Sequence, residues 1–375
     1  MKSISRELHS TIHDDGTLTL ALVNVTVPEP AADEIVIRVE GAPINPSDLT
    51  LLLGPADLST LRQSGTPESP ILTFDIPADQ LASAKARIGQ TLRPGNEGAG
   101  TVVVAGAGAQ AWLGRRVATL GGAMYADHRV VRANDAIALP EGASAAEGAA
   151  ISINPLTALG FIETARNGGH KAIIHTAAAS SLGQILQRIC LADGIPLINI
   201  VRSAEQAALL REIGATYVLN SRDAQFFDDL VDAVAETGAT VVFDAVGGGT
   251  LGSDMLRAIE KAAARDLTRY SPYGSAVSKH LYSYGMLDYS LAVLDRLAFG
   301  FDWSVSGWLM TQFLQKAGPE AVQRLRQRVN DELTTTFATQ YTRTIGLVEA
   351  LDPVVLASYQ RKATGAKFLI DPSRG

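Results

Sequence analysis

Residues 171–203 read KAIIHTAAASSLGQILQRICLADGIPLINIVRS: a strand, a turn of small residues, a helix and a second strand. Lys171–Thr176 is a short apolar run that fits a buried parallel strand. Ala177, Ala178, Ala179, Ser180 and Ser181 have side chains too small to keep a ligand off the backbone. From Leu182 to Ala192 the spacing is helical, with Leu182, Ile185, Leu186 and Ile189 on one side. Ile195–Val201 forms the next strand. A helix that starts just after a strand points unpaired N–H groups and partial positive charge at the space above the turn. Dinucleotide pyrophosphates are held in that way.

The usual dinucleotide fingerprint carries three glycines. Here Gly183 supplies the helix-packing one, and Ala178, Ser180 and Ser181 stand where the others fall. By itself the turn fits nucleotide binding and a plain strand–helix connection equally well. The next strand end bears on the choice, because a ribose-reading residue belongs about 20 positions on, acidic for NAD and basic for NADP. That place is Val201-Arg202-Ser203, with no carboxylate. Arg202 can meet a 2′-phosphate through two parallel hydrogen bonds, and Ser203 can add a third. The other reading of Arg202 is a solvated arginine at a strand end. The expected cofactor is NADPH.

The whole chain has 375 residues, so two domains are expected. Hydrophobic residues make up 46% and charged residues 19%, enough for a large core and too apolar for disorder. A net charge of −7 and a pI near 5.4 argue against nucleic acid and against an anionic membrane surface. One cysteine, Cys190, leaves no intramolecular disulfide and no cysteine-rich zinc site. No apolar run approaches the length of a membrane span, and MKSISRELHS lacks a signal-peptide core, so the expected location is the cytoplasm.

Around the opening motif the pattern divides. Residues 17–53 are β-rich, with strands at Leu18–Val27 and Glu34–Val39 and then a loop into a short helix around Leu49–Leu53; 94–140 return to β, and 54–93 show convincing helical character only at Asp79–Arg87. Strands are expected at 171–176, 195–201, 216–219, 240–245, 280–284 and 303–306, with helices between them. That order predicts an α/β fold with a doubly wound, Rossmann-type parallel sheet. A helix and a short β-rich tail follow residue 318.

Three passages together resemble the medium-chain dehydrogenase/reductases, in their zinc-free quinone oxidoreductase branch. They are Ile44-Asn45-Pro46-Ser47-Asp48; Pro94-Gly95-Asn96-Glu97-Gly98-Ala99-Gly100; and Asn154-Pro155-Leu156-Thr157-Ala158-Leu159 with IIHTAAASSLGQ. REIGATYVLN (211–220), Phe243–Gly248 and the tail GAKFLIDP are weaker matches. The resemblance implies a β-rich, GroES-like catalytic domain built from 1–152 and 311–375, a dinucleotide-binding domain over 153–310, and a cofactor between them. Residues 54–93 exceed what the family carries there. The resemblance also implies cofactor contacts at Thr157, at Ala178, Ala179, Ser180, Ser181, Leu182 and Gly183, at Arg202, Ser203 and Arg222, and at Val246 and Gly247.

Zinc-dependent relatives place a cysteine where Asn45 stands and a histidine where Asn96 stands. Asparagine is a poor zinc ligand, and the six histidines form no ligand set in sequence, so no metal is expected. Alcohol oxidation needs a Lewis acid or a base to take the hydroxyl proton. Hydride delivery to an electron-poor quinone or enone needs only positioning and donors where charge develops on oxygen. Candidate donors are Asn45, Ser47 and Tyr284, with core packing the other role for the tyrosine. Tyr270 and Tyr273 of YSPYG are candidates to cover the nicotinamide. The alternatives are an enoyl-thioester reductase and a weakly catalytic NADPH-binding sensor or structural protein. A homodimer is expected through Trp303–Trp308, an apolar edge strand.

Overall fold

Leu18 and Leu20, Ile35 and Ile37, and Leu72 and Phe74 recur at every second residue, and each pair is fully buried on one face of a strand. The computed structural model describes residues 3–82, 84–265, 267–361 and 367–375. The chain forms two units, Met1–Ile153 with Asn330–Gly375, and Asn154–Val329.

The first unit opens with β1 (Ile4–Ile12), β2 (Thr17–Thr26), β3 (Glu34–Pro43) and α1 (Pro46–Leu53). Then come β4 (Asp57–Thr66), β5 (Ser69–Asp75), α2 (Ala78–Leu81), β6 (Thr91–Leu92), β7 (Glu97–Ala105), β8 (Arg116–Leu120), β9 (His128–Arg132), β10 (Ala136–Ala138) and α3 (Ala145–Gly148). One sheet runs β4-β5-β2-β1-β6 and is antiparallel throughout. A second runs β10-β8-β7-β3, with β9 also paired to β3.

The second unit contains α4 (Ile153–Asn167), β11 (Ile173–His175), α5 (Ser181–Asp193), β12 (Leu197–Val201), α6 (Ala204–Glu212), β13 (Tyr217–Asn220), α7 (Phe226–Thr237), β14 (Val241–Asp244), α8 (Leu251–Ala264), β15 (Lys279–Ser283), β16 (Trp303–Gly307), α9 (Met310–Ala317) and α10 (Pro319–Asp331). Its sheet is β13-β12-β11-β14-β15-β16, all parallel. The order reverses at β11, the switch point beside which such sheets bind ligands. The tail of the chain, β17 (Arg343–Ile345), α11 (Pro353–Gln360) and β18 (Phe368–Ile370), returns to the first unit, where β18 pairs with β3.

All six strands expected in the second unit form, within two residues at each end. The chain re-enters the first unit at Asn330, later than the expected 311. Helices α9 and α10 stay with the second unit, where Arg328 makes a two-bonded pair with Asp193 at 2.7 and 3.0 Å and Arg324 reaches Glu163. Two strands and a hairpin partner were not expected. In β1 both faces bury residues, Leu8, Ser10 and Ile12 on one and Ser5 and Glu7 on the other, which hides the period of two. In β4 most side chains are exposed, and pairing with β5 is reinforced by the two-bonded contact of Arg62 with Asp75. Of the expected helix Asp79–Arg87, α2 and a single turn at Lys85–Arg87 form, and Ser83 lies outside the described residues. Gly365 and Ala366 of the tail motif also lie outside them.

The hairpin β4–β5 is therefore part of the first unit's core, because Leu72 and Phe74 pack there with Leu8, Leu18 and Leu20. Phe74→Ala should cost about 3–5 kcal/mol of unfolding free energy, measured by urea titration. A loss near zero would mean that the hairpin does not contribute to that core.

Candidate functional site

His175 ends β11 and Ser181 begins α5, so the chain turns within five residues. Ala177 takes a φ of 50°, a left-handed conformation that costs a non-glycine residue roughly 1–2 kcal/mol. A side chain on Gly183 would run into the Ala178 carbonyl, so the glycine lets helix and strand end approach closely. Ala178 and Ala179 are buried beneath the turn. Ser180 caps the helix, its Oγ accepting the Gly183 N–H at 3.2 Å. The Ser181 and Leu182 N–H groups lie in the first turn, where no intrahelical partner exists. Two of the three glycines of the usual fingerprint are thus replaced at a conformational cost, and the one that packing requires is kept.

A second turn lies beside the first. Asp244, at the end of β14, accepts from the Thr176 hydroxyl at 2.7 Å and from the N–H groups of Val246 and Gly247 at 2.9 and 3.0 Å. Thr176 Oγ1 in turn accepts from Ala245 N at 2.7 Å. One carboxylate therefore fixes both Val246 and Gly247. Asp244 escaped the sequence reading, although an acid closing an apolar strand before two glycines is the signal that marks it.

Arg202 follows β12 and Arg222 follows β13, and the register aligns Val201 with Asn220, so the two arginines leave neighbouring strand ends. Both are exposed, and neither guanidinium has a partner among the described residues. Ser203 caps α6, accepting from Gln206 N, and its hydroxyl also bonds the Glu205 carboxylate, which holds that acid below its ordinary range. Its hydroxyl is thus already engaged within the turn. Thr157 is buried on α4.

Tyr284 follows β15 and shares a face with Tyr282 and Phe243. Its hydroxyl lies 2.7 Å from Nε2 of His175, and the two rings are nearly coplanar. Phe161 covers both, at 4.8 and 6.1 Å between ring centres. Burial pushes His175 down to about 3, so the ring is neutral at any working pH. Burial, and after it Asp244, pushes the Tyr284 phenol well up.

In the first unit the buried polar groups converge on two carboxylates. Asp48 accepts from Asn45 N at 3.0 Å and Asn96 N at 2.7 Å. Glu97 accepts from Asn45 Nδ2 at 2.8 Å and from Ser152 N and Ile153 N at 2.9 and 2.8 Å. Asn45, expected as a donor to an acceptor oxygen, is only 2% exposed and donates to Glu97 instead. Ser47 is exposed, and its Oγ accepts from Asn96 Nδ2 at 3.1 Å. These residues do not fit zinc. Both oxygens of each carboxylate are engaged by N–H donors, and both amides are tied into protein hydrogen bonds. Lys367, not singled out from sequence, is buried near both acids; burial lowers its pKa and Glu97 raises it.

Tyr270 and Tyr273 do not approach the turns. They precede β15, at the N-terminal edge of the parallel sheet, and are 91% and 65% exposed. Trp308 packs inward against Phe161 at 4.7 Å and donates to Thr164 at 3.1 Å, while Trp303 stacks edge-on against Phe299.

The family described as zinc-binding dehydrogenase matches residues 181–264. The mitochondrial enoyl-[acyl-carrier-protein] reductase of Xenopus tropicalis is 31% identical over 55% of this chain and 53% of its own length. The quinone oxidoreductase of Rattus norvegicus is 25% identical over 62% of this chain and 63% of its own length. The chain thus spans under two thirds of both relatives. A Mesorhizobium loti structure provisionally named an NADPH:quinone reductase superposes with a TM-score of 0.72 at 24% identity, covering 99% of both chains, a likeness of fold.

Burial pushes Asp48 up to about 7, outweighing its backbone hydrogen bonds from Asn45 and Asn96. A carboxyl raised on folding contributes stability that is present below about pH 4 and lost as pH rises through about 7. Relative to wild type, Asp48→Asn should therefore gain stability steadily between pH 4 and 7, on top of a constant loss from its disturbed cap. Parallel urea midpoints across that range would refute the assignment.

Proposed function

We propose that the chain is a medium-chain dehydrogenase/reductase and, on that premise, an NADPH-dependent oxidoreductase that reduces a quinone or a conjugated carbonyl compound without zinc. The observation that carries the reading is the pair of arginines, Arg202 and Arg222, unpartnered among the described residues and leaving adjacent strand ends beside the α5 turn. A 2′-phosphate is the group that such a pair holds best. Ser181 and Leu182 N–H groups suit the pyrophosphate, with Gly183 allowing its approach. Val246 and Gly247, fixed by Asp244, suit the ribose next to the nicotinamide. When bound, NADPH supplies the hydride.

The protein's part is then small. It orients the acceptor and offers a hydrogen-bond donor to the oxygen that gains charge. Ser47 and Tyr284 retain hydroxyls suited to that work. Asn45 supports the Ser47 loop from beneath through Glu97. The similarity to the enoyl reductase favours an enoyl thioester as the second acceptor class, since it is also an electron-poor conjugated carbonyl. A cytoplasmic location belongs to the same proposal.

Pairing of two copies through β16 is also proposed. This strand edges the sheet with Val305 exposed, and the irregular connection before it exposes Met286, Tyr289, Leu291, Leu297 and Phe301. An open apolar edge invites a second strand. The two tryptophans first expected in that interface instead support it from inside.

Two measurements check the proposal. Titration should give tighter binding of NADPH than of NADH, and Arg202→Ala should lose about tenfold to a hundredfold of the NADPH affinity alone. Equal wild-type affinities would overturn the cofactor assignment. Sedimentation at micromolar concentration should give twice the mass of the 39.6 kDa chain, and Val305→Lys should return it to one. A monomeric wild type would exclude the pairing.

A further inference from the structure

Two acids stand close in sequence to the arginines proposed for the 2′-phosphate, and neither pairs with them among the described residues. Glu205 lies three residues after Arg202, in the first turn of α6, and Asp223 directly follows Arg222. Each acid is held by a neutral side chain instead. Asp223 accepts from Asn220 Nδ2 at 2.7 Å, and Glu205 accepts from the Ser203 hydroxyl. All four charged residues are exposed, so a ligand can reach them from solvent.

The two acids differ in what they occupy. Ser203 Oγ carries one proton, and a carboxylate can only accept, so that proton goes to Glu205. The same oxygen accepts from Gln206 N at 3.3 Å, as the cap of α6. Arg202 is tied to this turn as well, its N–H donating to Gln206 Oε1 at 2.9 Å. A phosphate on the ribose is, like the carboxylate, an acceptor of hydrogen bonds. The Ser203 hydroxyl thus has one donor and two claimants for it: an acid already in the turn, and the phosphate that Arg202 would draw to its neighbour. Asn220 faces no such choice, because its amide has two N–H groups. The Ser203 bond also holds the Glu205 carboxyl below the usual glutamate range, so the rival is fully charged wherever the phosphate is doubly charged.

We propose that Glu205 is a specificity residue for the cofactor: its carboxylate competes with the 2′-phosphate for the Ser203 hydroxyl and keeps NADPH affinity below what Arg202, Arg222 and a free Ser203 would give. NADH has no such phosphate and leaves the Ser203–Glu205 bond as it is, so the acid narrows the gap between the two cofactors. The inference rests on the cofactor reading above. When the phosphate takes the hydroxyl, Glu205 turns to solvent, where an exposed acid is readily hydrated.

Calorimetric titration with adenosine 2′,5′-bisphosphate, which carries the phosphate without the nicotinamide, separates this competition from turnover. Glu205→Ala should tighten binding of the bisphosphate and of NADPH by about threefold to fivefold, the size of an exposed charged interaction. Its NADH affinity should stay within twofold of wild type. Ser203→Gly removes the hydroxyl and still caps a helix well. In that background Glu205→Ala should tighten bisphosphate binding by less than twofold, because the disputed proton is gone. An equal gain in both backgrounds would show only the loss of a nearby charge and would overturn the competition, as would an equal gain for NADH. A wild type that prefers NADPH, with no gain in Glu205→Ala, would overturn the competition and leave the cofactor reading standing. A wild type that binds neither NADPH nor the bisphosphate would overturn both.

Discussion

Burial of charge next to a loop that must stay accessible is the constraint on which the first unit depends. Asp48 and Glu97 lie inside it, and a carboxylate taken from water costs several kcal/mol unless it is paired or hydrogen-bonded. Each offsets part of that cost with N–H donors from segments far apart in sequence, and burial still raises both acids. Asp48 holds residues 45 and 96 together, and Glu97 holds residue 45 to residues 152 and 153. Lys367 arrives from the far end of the chain, just before β18. Two acids thus fix the Asn45–Asp48 loop, and the exposed hydroxyl of Ser47 sits on a rigid base.

The second unit solves a related problem with one acid. Asp244 sits where the sheet order reverses, and three donors converge on it. The turn it organises has open backbone, three glycines, and no bulky side chain between Ala245 and Gly249 apart from Val246. For the proposed reduction, rigidity here matters because a hydride moves only over short distances, and loose placement is costly in rate.

The parts of this architecture that follow from local pattern were legible. The central parallel strands β11, β12 and β14 are short apolar runs closed by a turn, such as Ile173–His175 before Thr176 or Val241–Asp244 before a turn with three glycines. Burial on both faces demands that composition. Gly183 was legible for the same reason, since the helix cannot pack without it. What stayed hidden depends on partners remote in sequence. Strand β1 buries Ser5, Glu7 and Ser10, and these read as solvent-facing until Arg93 and Leu52 are known to meet Glu7 and Ser10. Asn45 looked like a donor to a substrate because nothing local shows that Glu97, 52 positions on, takes its amide. His175 looked like one more residue in an apolar strand, and only the fold brings it to Tyr284, 109 positions away.

Chemical economy connects these features. Removing a proton from an alcohol requires a base or a Lewis acid, and the side chains around Asn45 and Asn96 are engaged in holding the fold. Adding hydride to a carbon that is already electron-poor requires neither. A quinone and an enoyl thioester place the same two demands on the protein: a fixed approach to one carbon, and a donor near one oxygen. The fold can therefore be shared while the acceptor differs, because specificity rests on residues that shape the acceptor's surroundings rather than on those that transfer charge.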